Sequence, residues 1–190
     1  MSIMEKLELA LNKILKTGKG TSLLLELDTK SYLETNIKTI KKLQKKGFGG
    51  VYVSIQRPFK NVSSVLKKQD INLNKIIFID VASAASKETQ EKCKGCVYIS
   101  PELDVDELVN TISTSLEKVK GKKFIFIDSL TTFALHKPIS EILRFSEFLM
   151  MQVKDRKDII LILNVAKDLT NKKFVQDVIA NADKTIKVKA

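Results

Sequence analysis

The chain has 190 residues, 44% of them apolar and 29% charged, and a formal net charge of +11 from 33 Lys and Arg against 22 Asp and Glu. That length and apolar share predict one globular domain with a substantial core, and no apolar run reaches the roughly 18 residues of a membrane-spanning helix. The positive charge permits attraction to nucleic acid, anionic lipid or acidic protein, but only Arg57, Arg144 and Arg156 are arginines, the residue preferred for bidentate recognition of phosphates and bases.

In chain order, Ile3, Leu7, Leu11 and Ile14 share one side of an amphipathic helix over residues 3–16, closed by Thr17-Gly18-Lys19-Gly20. An amphipathic start of this kind predicts no secretory leader, and two cysteines in a Lys/Glu-rich chain predict a reducing cytoplasm. Residues 22–27 predict an apolar strand interrupted only by Glu26. A helix over 31–46 ends at Gly47 and Gly49-Gly50, and Val51 to Ile55 forms the second strand. Asn61 can cap a helix to about Lys68. Ile76 to Asp80 and Val97 to Ile99 predict the third and fourth strands, and Asp104 opens a helix to about Val119. Phe124 to Asp128 is the fifth strand, and Pro138 starts a helix to about Val153. Ile159 to Leu163, a helix over about 171–181 and Thr185 to Val188 complete the chain. Continuously apolar strands separated by helices predict a mostly parallel sheet covered on both faces.

Phe124-Ile125-Phe126-Ile127-Asp128-Ser129-Leu130 is the most informative stretch, a short buried strand ending in a carboxylate followed by serine. Over roughly residues 20–190, the order and spacing of the strands resemble the RecA/KaiC-like ATPase superfamily. Three stretches carry the resemblance: Lys41 to Gly47 leading into Val51-Tyr52-Val53-Ser54, the Asp128-Ser129 strand, and Ile159 to Asn164. The Asp128-Ser129 strand is similar to that family's Walker B strand, whose aspartate helps hold magnesium against phosphate. The stretch from Ile159 ends in a polar residue, Asn164, that resembles a sensor facing the γ-phosphate. The resemblance also sets Lys30-Ser31 against the Lys-[Ser/Thr] pair of the family's phosphate loop. A conventional member would therefore bind ATP and Mg2+ through Lys30, Ser31, Asp128 and Asn164, with Asp128 on the metal.

Two departures oppose that reading. No glycine lies between Thr21 and Lys46, and the phosphate loop works because glycines let several N–H groups converge on phosphate oxygens. Asp28 would also set a negative charge beside a triphosphate, and the bland reading is that Asp28 or Thr29 caps the next helix. Gln56 stands where the family often has a glutamate that orients the attacking water, and glutamine is not a general base. Without a phosphate loop, Asp128 is expected to cap the turn after its strand by accepting backbone N–H bonds.

Other features are weighed the same way. Asp80 ends another strand and could pair with Asp128 as a remnant metal site. Cys93-Lys94-Gly95-Cys96 is a lone C-x-x-C that cannot close a four-ligand zinc site in one chain, and it reads as a tight turn with ordinary thiols. His136 is the only histidine, which leaves it a solvated loop residue. Ser83-Ala84-Ala85-Ser86 reads as a flexible loop at the ligand-binding edge of the sheet. Lys38, Lys41, Lys42, Lys45 and Lys46 recur at helical spacing and could meet nucleic acid phosphates, although no stacking aromatics interleave with them.

The expectation is a three-layer α/β sandwich with a mostly parallel central sheet of RecA/KaiC-like type over 21–190, and an N-terminal helical appendage over 1–20. The expected function is a non-catalytic, degenerate ATPase domain without a cofactor, acting as a regulatory or assembly module through a protein partner or homo-oligomer. Its rivals are a nucleotide-binding enzyme with weak ATPase activity and a nucleic-acid binder using the lysine-rich face. No membrane association is expected.

Overall fold

A computed structural model describes residues 3–17, 19–28, 30–85, 94–100, 102, 104–169 and 173–187. In order, the elements are α1 (Ile3–Thr17), β1 (Thr21–Leu27), α2 (Tyr32–Lys45), β2 (Gly49–Ser54), α3 (Phe59–Lys68), β3 (Ile76–Asp80), α4 (Ala82–Ala85), β4 (Cys96–Tyr98), α5 (Val105–Glu117), β5 (Lys123–Asp128), α6 (Leu130–Phe133), α7 (Ile139–Lys154), β6 (Ile159–Ala166), α8 (Lys173–Asn181) and β7 (Lys184–Lys187).

The strands form one seven-stranded sheet in the order β4-β3-β2-β5-β6-β1-β7, and every strand pairing is parallel. The five apolar strands at 22–27, 51–55, 76–80, 124–128 and 159–163 thus share one sheet, as their composition predicts. The two-residue period of a strand divides their side chains between two cores. Leu24, Val53, Ile79, Ile127 and Leu163 pack with α5, α7 and α8 on one face. Leu23, Leu25, Tyr52, Phe78, Phe126 and Ile162 pack with α1, α2 and α3 on the other. The second core is aromatic at its centre, where the Tyr52 and Phe126 rings stack with centroids 5.1 Å apart.

Local boundaries differ from the sequence reading for identifiable reasons. β2 begins at Gly49 rather than Val51; its glycines are strand residues because the neighbouring backbone comes too close for a side chain. α3 starts at Phe59 after Pro58, not at Asn61, because the Phe59 N–H donates to Asp80 Oδ2 at 2.7 Å. Ser83, Ala84 and Ala85, expected with Ser86 as a flexible loop, lie in the short helix α4, with Ser83 N and Oγ both donating to Asp80. Ser86 lies outside the described residues.

The edge strand β7 is tied to β1 by a polar clamp. Ser22 N and Oγ donate to Asp183 Oδ2 at 2.8 and 2.7 Å, and the Asp183 N–H returns a bond to Ser22 Oγ at 3.0 Å. Asp183→Ala removes the acceptor while Ser22 stays buried, so it is expected to cost about 1–3 kcal/mol. Chemical denaturation checks this, with Asp183→Asn costing less because one acceptor oxygen remains. Equal loss in both variants would mean that the clamp acts through its charge alone.

Candidate functional site

Asp128 is the last residue of β5 and is 2% exposed. Its neighbours come from three other elements. Tyr52 of β2 reaches across on the α2 side of the sheet and donates its hydroxyl to Asp128 Oδ2. Asn164 of β6 donates through Nδ2 to Asn36 Oδ1 at 2.8 Å, linking the sheet to α2. Tyr32, the first residue of α2, is buried over the same place. These residues meet because β6 lies between β1 and β5, which sets the helix that follows β1 over the end of β5.

The cluster is only partly satisfied. Tyr32 Oη, Asn36 Nδ2, Asp128 Oδ1 and Asn164 Oδ1 are buried and make no hydrogen bond of ordinary geometry. Burial holds the Asp128 carboxyl above the usual carboxylate range, opposed by the Tyr52 and Tyr32 hydroxyls, the Arg57 charge and Asn164. Burial, and then the charge of Asp128, push both tyrosine hydroxyls well above their ordinary value. Burial thus shifts each acid here toward its neutral form, as expected of ionisable groups cut off from water.

The residues singled out from the sequence divide. Asp128 and Asn164 come together in this cluster. Lys30 and Ser31 do not join them: Lys30 is exposed, and both sit in the four-residue connection between β1 and α2. That connection is a tight turn in which Ser31 N and Oγ donate to the Asp28 carbonyl at 3.2 and 3.3 Å, and Lys30 N donates to Asp28 Oδ1 at 3.1 Å. Asp28 thus braces the entrance to α2. Thr29 lies outside the described residues.

Asp128 does not cap the following turn with its side chain as expected. Ser129 does so, accepting the Thr132 N–H at 3.2 Å; the Asp128 carboxylate points across the sheet to Tyr52 instead. Asp80 does not pair with Asp128, because β2 separates their strands and the Asp80 carboxylate is filled by Phe59 and Ser83. Among the described residues no group of three or more His, Cys, Asp and Glu could hold a metal. Gln56 is exposed beyond the end of β2, and His136 is exposed after α6. Cys96 opens β4, while Cys93 lies outside the described residues. Among the α2 lysines, Lys42 pairs with Glu8 of α1, Lys46 Nζ donates to Asn12 Oδ1 at 2.7 Å, and Lys38 pairs with Glu34.

Tyr32, Asn36 and Tyr52 were missed by sequence reasoning. A signal existed: Asn36 lies on the same helix side as Ile40 and Leu43, so it is a polar residue facing the core, and such a residue needs a polar partner.

The seven-stranded parallel sheet and its covering helices are the fold of RecA/KaiC-like ATPases. Solved structures similar to this chain are an uncharacterized protein, PH0321, from Pyrococcus horikoshii in complex with an unknown peptide (15% identity, TM-score 0.63, 89% of this chain and 77% of that one) and the KaiC-like protein PH0186 from Pyrococcus horikoshii OT3 (16%, 0.59, 89% and 71%). The flagellar accessory protein FlaH from Methanocaldococcus jannaschii is similar too (12%, 0.61, 94% and 76%). The chain belongs to the family of unknown function DUF7090, whose model matches residues 12–190. No curated protein matches it. Among the described residues no helix is long and apolar enough to cross a membrane.

Proposed function

We propose that this chain is a degenerate RecA/KaiC-like ATPase domain that does not hydrolyse nucleotide and serves as a regulatory or assembly module through protein contacts. The observation that carries the proposal is that the chain's own side chains fill the space around Asp128. Tyr32 covers it from α2, and Tyr52 occupies one carboxylate oxygen. The donor set does not fit Mg-ATP. A magnesium ion takes near-octahedral oxygen ligands including substrate phosphates, and here the one carboxylate is buried and bonded to a tyrosine. The Lys30 and Ser31 N–H groups are spent on Asp28, where a phosphate loop would aim such groups at a ligand. Residues 1–20 are a helical appendage in this reading and 21–190 the RecA/KaiC-like unit. The peptide held by the similar protein PH0321 is in keeping with action through protein contacts.

Calorimetric titration with Mg-ATP and Mg-ADP tests the reading. No heat of binding up to millimolar nucleotide, and no phosphate release above buffer, are the expected results. Binding at micromolar nucleotide with hydrolysis that Asp128→Asn abolishes would establish the enzyme instead.

A further inference from the structure

In an all-parallel sheet every strand starts at the same pole, and the helices that run back end there. The connections entering the seven strands, taken from the last helical residue (or from Lys94 for β4) to the first strand residue, hold 14 Lys and Arg against 5 Asp and Glu. That leaves 19 against 17 for the rest of the chain, whose totals are 33 and 22. Nine of the eleven excess positive charges therefore sit at the pole where the strands begin. At the opposite pole, Asp28, Glu102, Asp104 and Asp168 offset Lys30, Arg57, Lys137 and Lys167.

Helix dipoles account for part of this asymmetry. A helix C-terminus carries about half a negative charge and favours cations in its last turn, as at Lys45, Lys67 and Lys154. They do not account for Lys118-Val119-Lys120-Gly121-Lys122-Lys123, which lies wholly beyond the end of α5. Lys123 Nζ donates to the Leu116 carbonyl at 3.0 Å, and Lys122 lies over the Phe48 ring at 5.9 Å. Lys118 and Lys120 remain exposed, and with Lys75 they line a cavity of about 440 Å3 together with Gly47, Gly49 and Asn74. Among the described residues none of these three lysines takes part in an ion pair.

We propose that this strand-entry pole binds the phosphate backbone of double-stranded nucleic acid without reading its sequence. Among the described residues, the exposed large apolar side chains Leu9, Leu135, Ile139 and Phe148 lie away from this pole, and Met151, within one turn of Lys154 and beside Asn181 and Asp183, stands at its edge. A protein partner or a membrane would want a cluster of apolar anchors there, and a single methionine at the rim is not one. The aromatic ring at the pole, Phe48, is fully buried, so unpaired bases have nothing to stack on, which single-strand binders require. Lysines act as point charges on phosphates and do not fork onto base edges as arginine does. Six interstrand spacings of about 4.8 Å make the pole about 29 Å wide, a length that about eight or nine base pairs cover. The site shares Lys45 and Lys46 with the end of the α2 lysine row but not Lys38, Lys41 or Lys42, and the proposal does not rest on the reading of the Asp128 cluster.

Fluorescence anisotropy with labelled 20-base-pair duplexes of several sequences, over a series of NaCl concentrations, tests it. Equal affinity across sequences is expected, with log K falling linearly against log salt. The triple variant Lys75→Gln, Lys118→Gln, Lys120→Gln should reduce that slope by about two to three, near 0.9 for each phosphate no longer neutralised. The α2 control Lys38→Gln, Lys41→Gln should change affinity less than about twofold, since these lysines lie outside the pole. Circular dichroism confirms that these surface variants fold. Absence of binding at 30 mM NaCl, a slope unmoved by the triple variant, or an equal loss in the control overturns the proposal. Tighter binding to polyglutamate or to vesicles containing phosphatidylserine overturns the nucleic acid assignment.

Discussion

Gly50→Ala is expected to destabilise the fold by about 3 kcal/mol or more, at the upper end for overpacked sites. Gly50 pairs with Phe124 in the β2–β5 register at the centre of the sheet. A Cβ built there would lie 2.3 Å from the Phe124 carbonyl oxygen and 2.5 Å from its ring. The ring cannot rotate away freely, because Phe124 is fully buried in the core it shares with Tyr52 and Phe126. The strand would have to move, and with it Tyr52, whose hydroxyl holds Asp128. The same variant should therefore loosen the buried cluster around Asp128 as well as lower the melting temperature, by roughly 6–12 °C at 2–4 °C per kcal/mol for a chain of this size. A loss below about 1 kcal/mol would mean that β2 and β5 are not packed this closely.

Much of this fold was legible in the residues because its signals are strong and redundant. Runs such as Ile159 to Leu163 are too apolar for any position but a covered strand, and a series of them separated by helices leaves little besides a parallel sheet. The ends of elements were less legible because they depend on distant partners. Phe59 begins α3 because Asp80, 21 residues later, takes its N–H, and no local pattern announces that bond. The cleft was legible only by half. Asp128 ends its strand and Asn164 stands two residues before the end of its own, at places a resemblance could mark. Tyr32 and Tyr52 are apolar enough to pass as ordinary core residues, and only the three-dimensional arrangement brings their hydroxyls to a buried carboxylate. The charge shows the same limit. Its sum is visible in composition, but its concentration at one pole follows from which connections enter strands and which leave them.

Asp128→Asn is expected to stabilise the protein at neutral pH, contrary to the usual result of removing a buried polar residue. The carboxyl is buried, one oxygen accepts from Tyr52, and the other lacks a partner. Its folded-state pKa is raised, with burial the largest cause. Above the ordinary carboxylate value the folded protein then binds more protons than the unfolded chain. Stability falls as pH rises through that window, and the unfavourable contribution is fully developed only above the raised folded value. Asparagine can still accept the Tyr52 hydroxyl, carries no charge, and can offer its amide hydrogens to Asn164 Oδ1. It should gain about 1–3 kcal/mol at pH 7, the scale of a buried polar group relieved of an unmet demand. Against pH, the stability of the unmutated protein should decline from pH 4 toward neutrality more than that of the variant, and the two should converge below pH 4. Urea titrations at pH 4, 5.5 and 7 measure both curves. A variant less stable at pH 7, with a gap that widens toward neutrality, would mean that the ionised carboxylate is the form the fold was built around. The hydrogen bonds to Asp128 would then outweigh the burial of its charge.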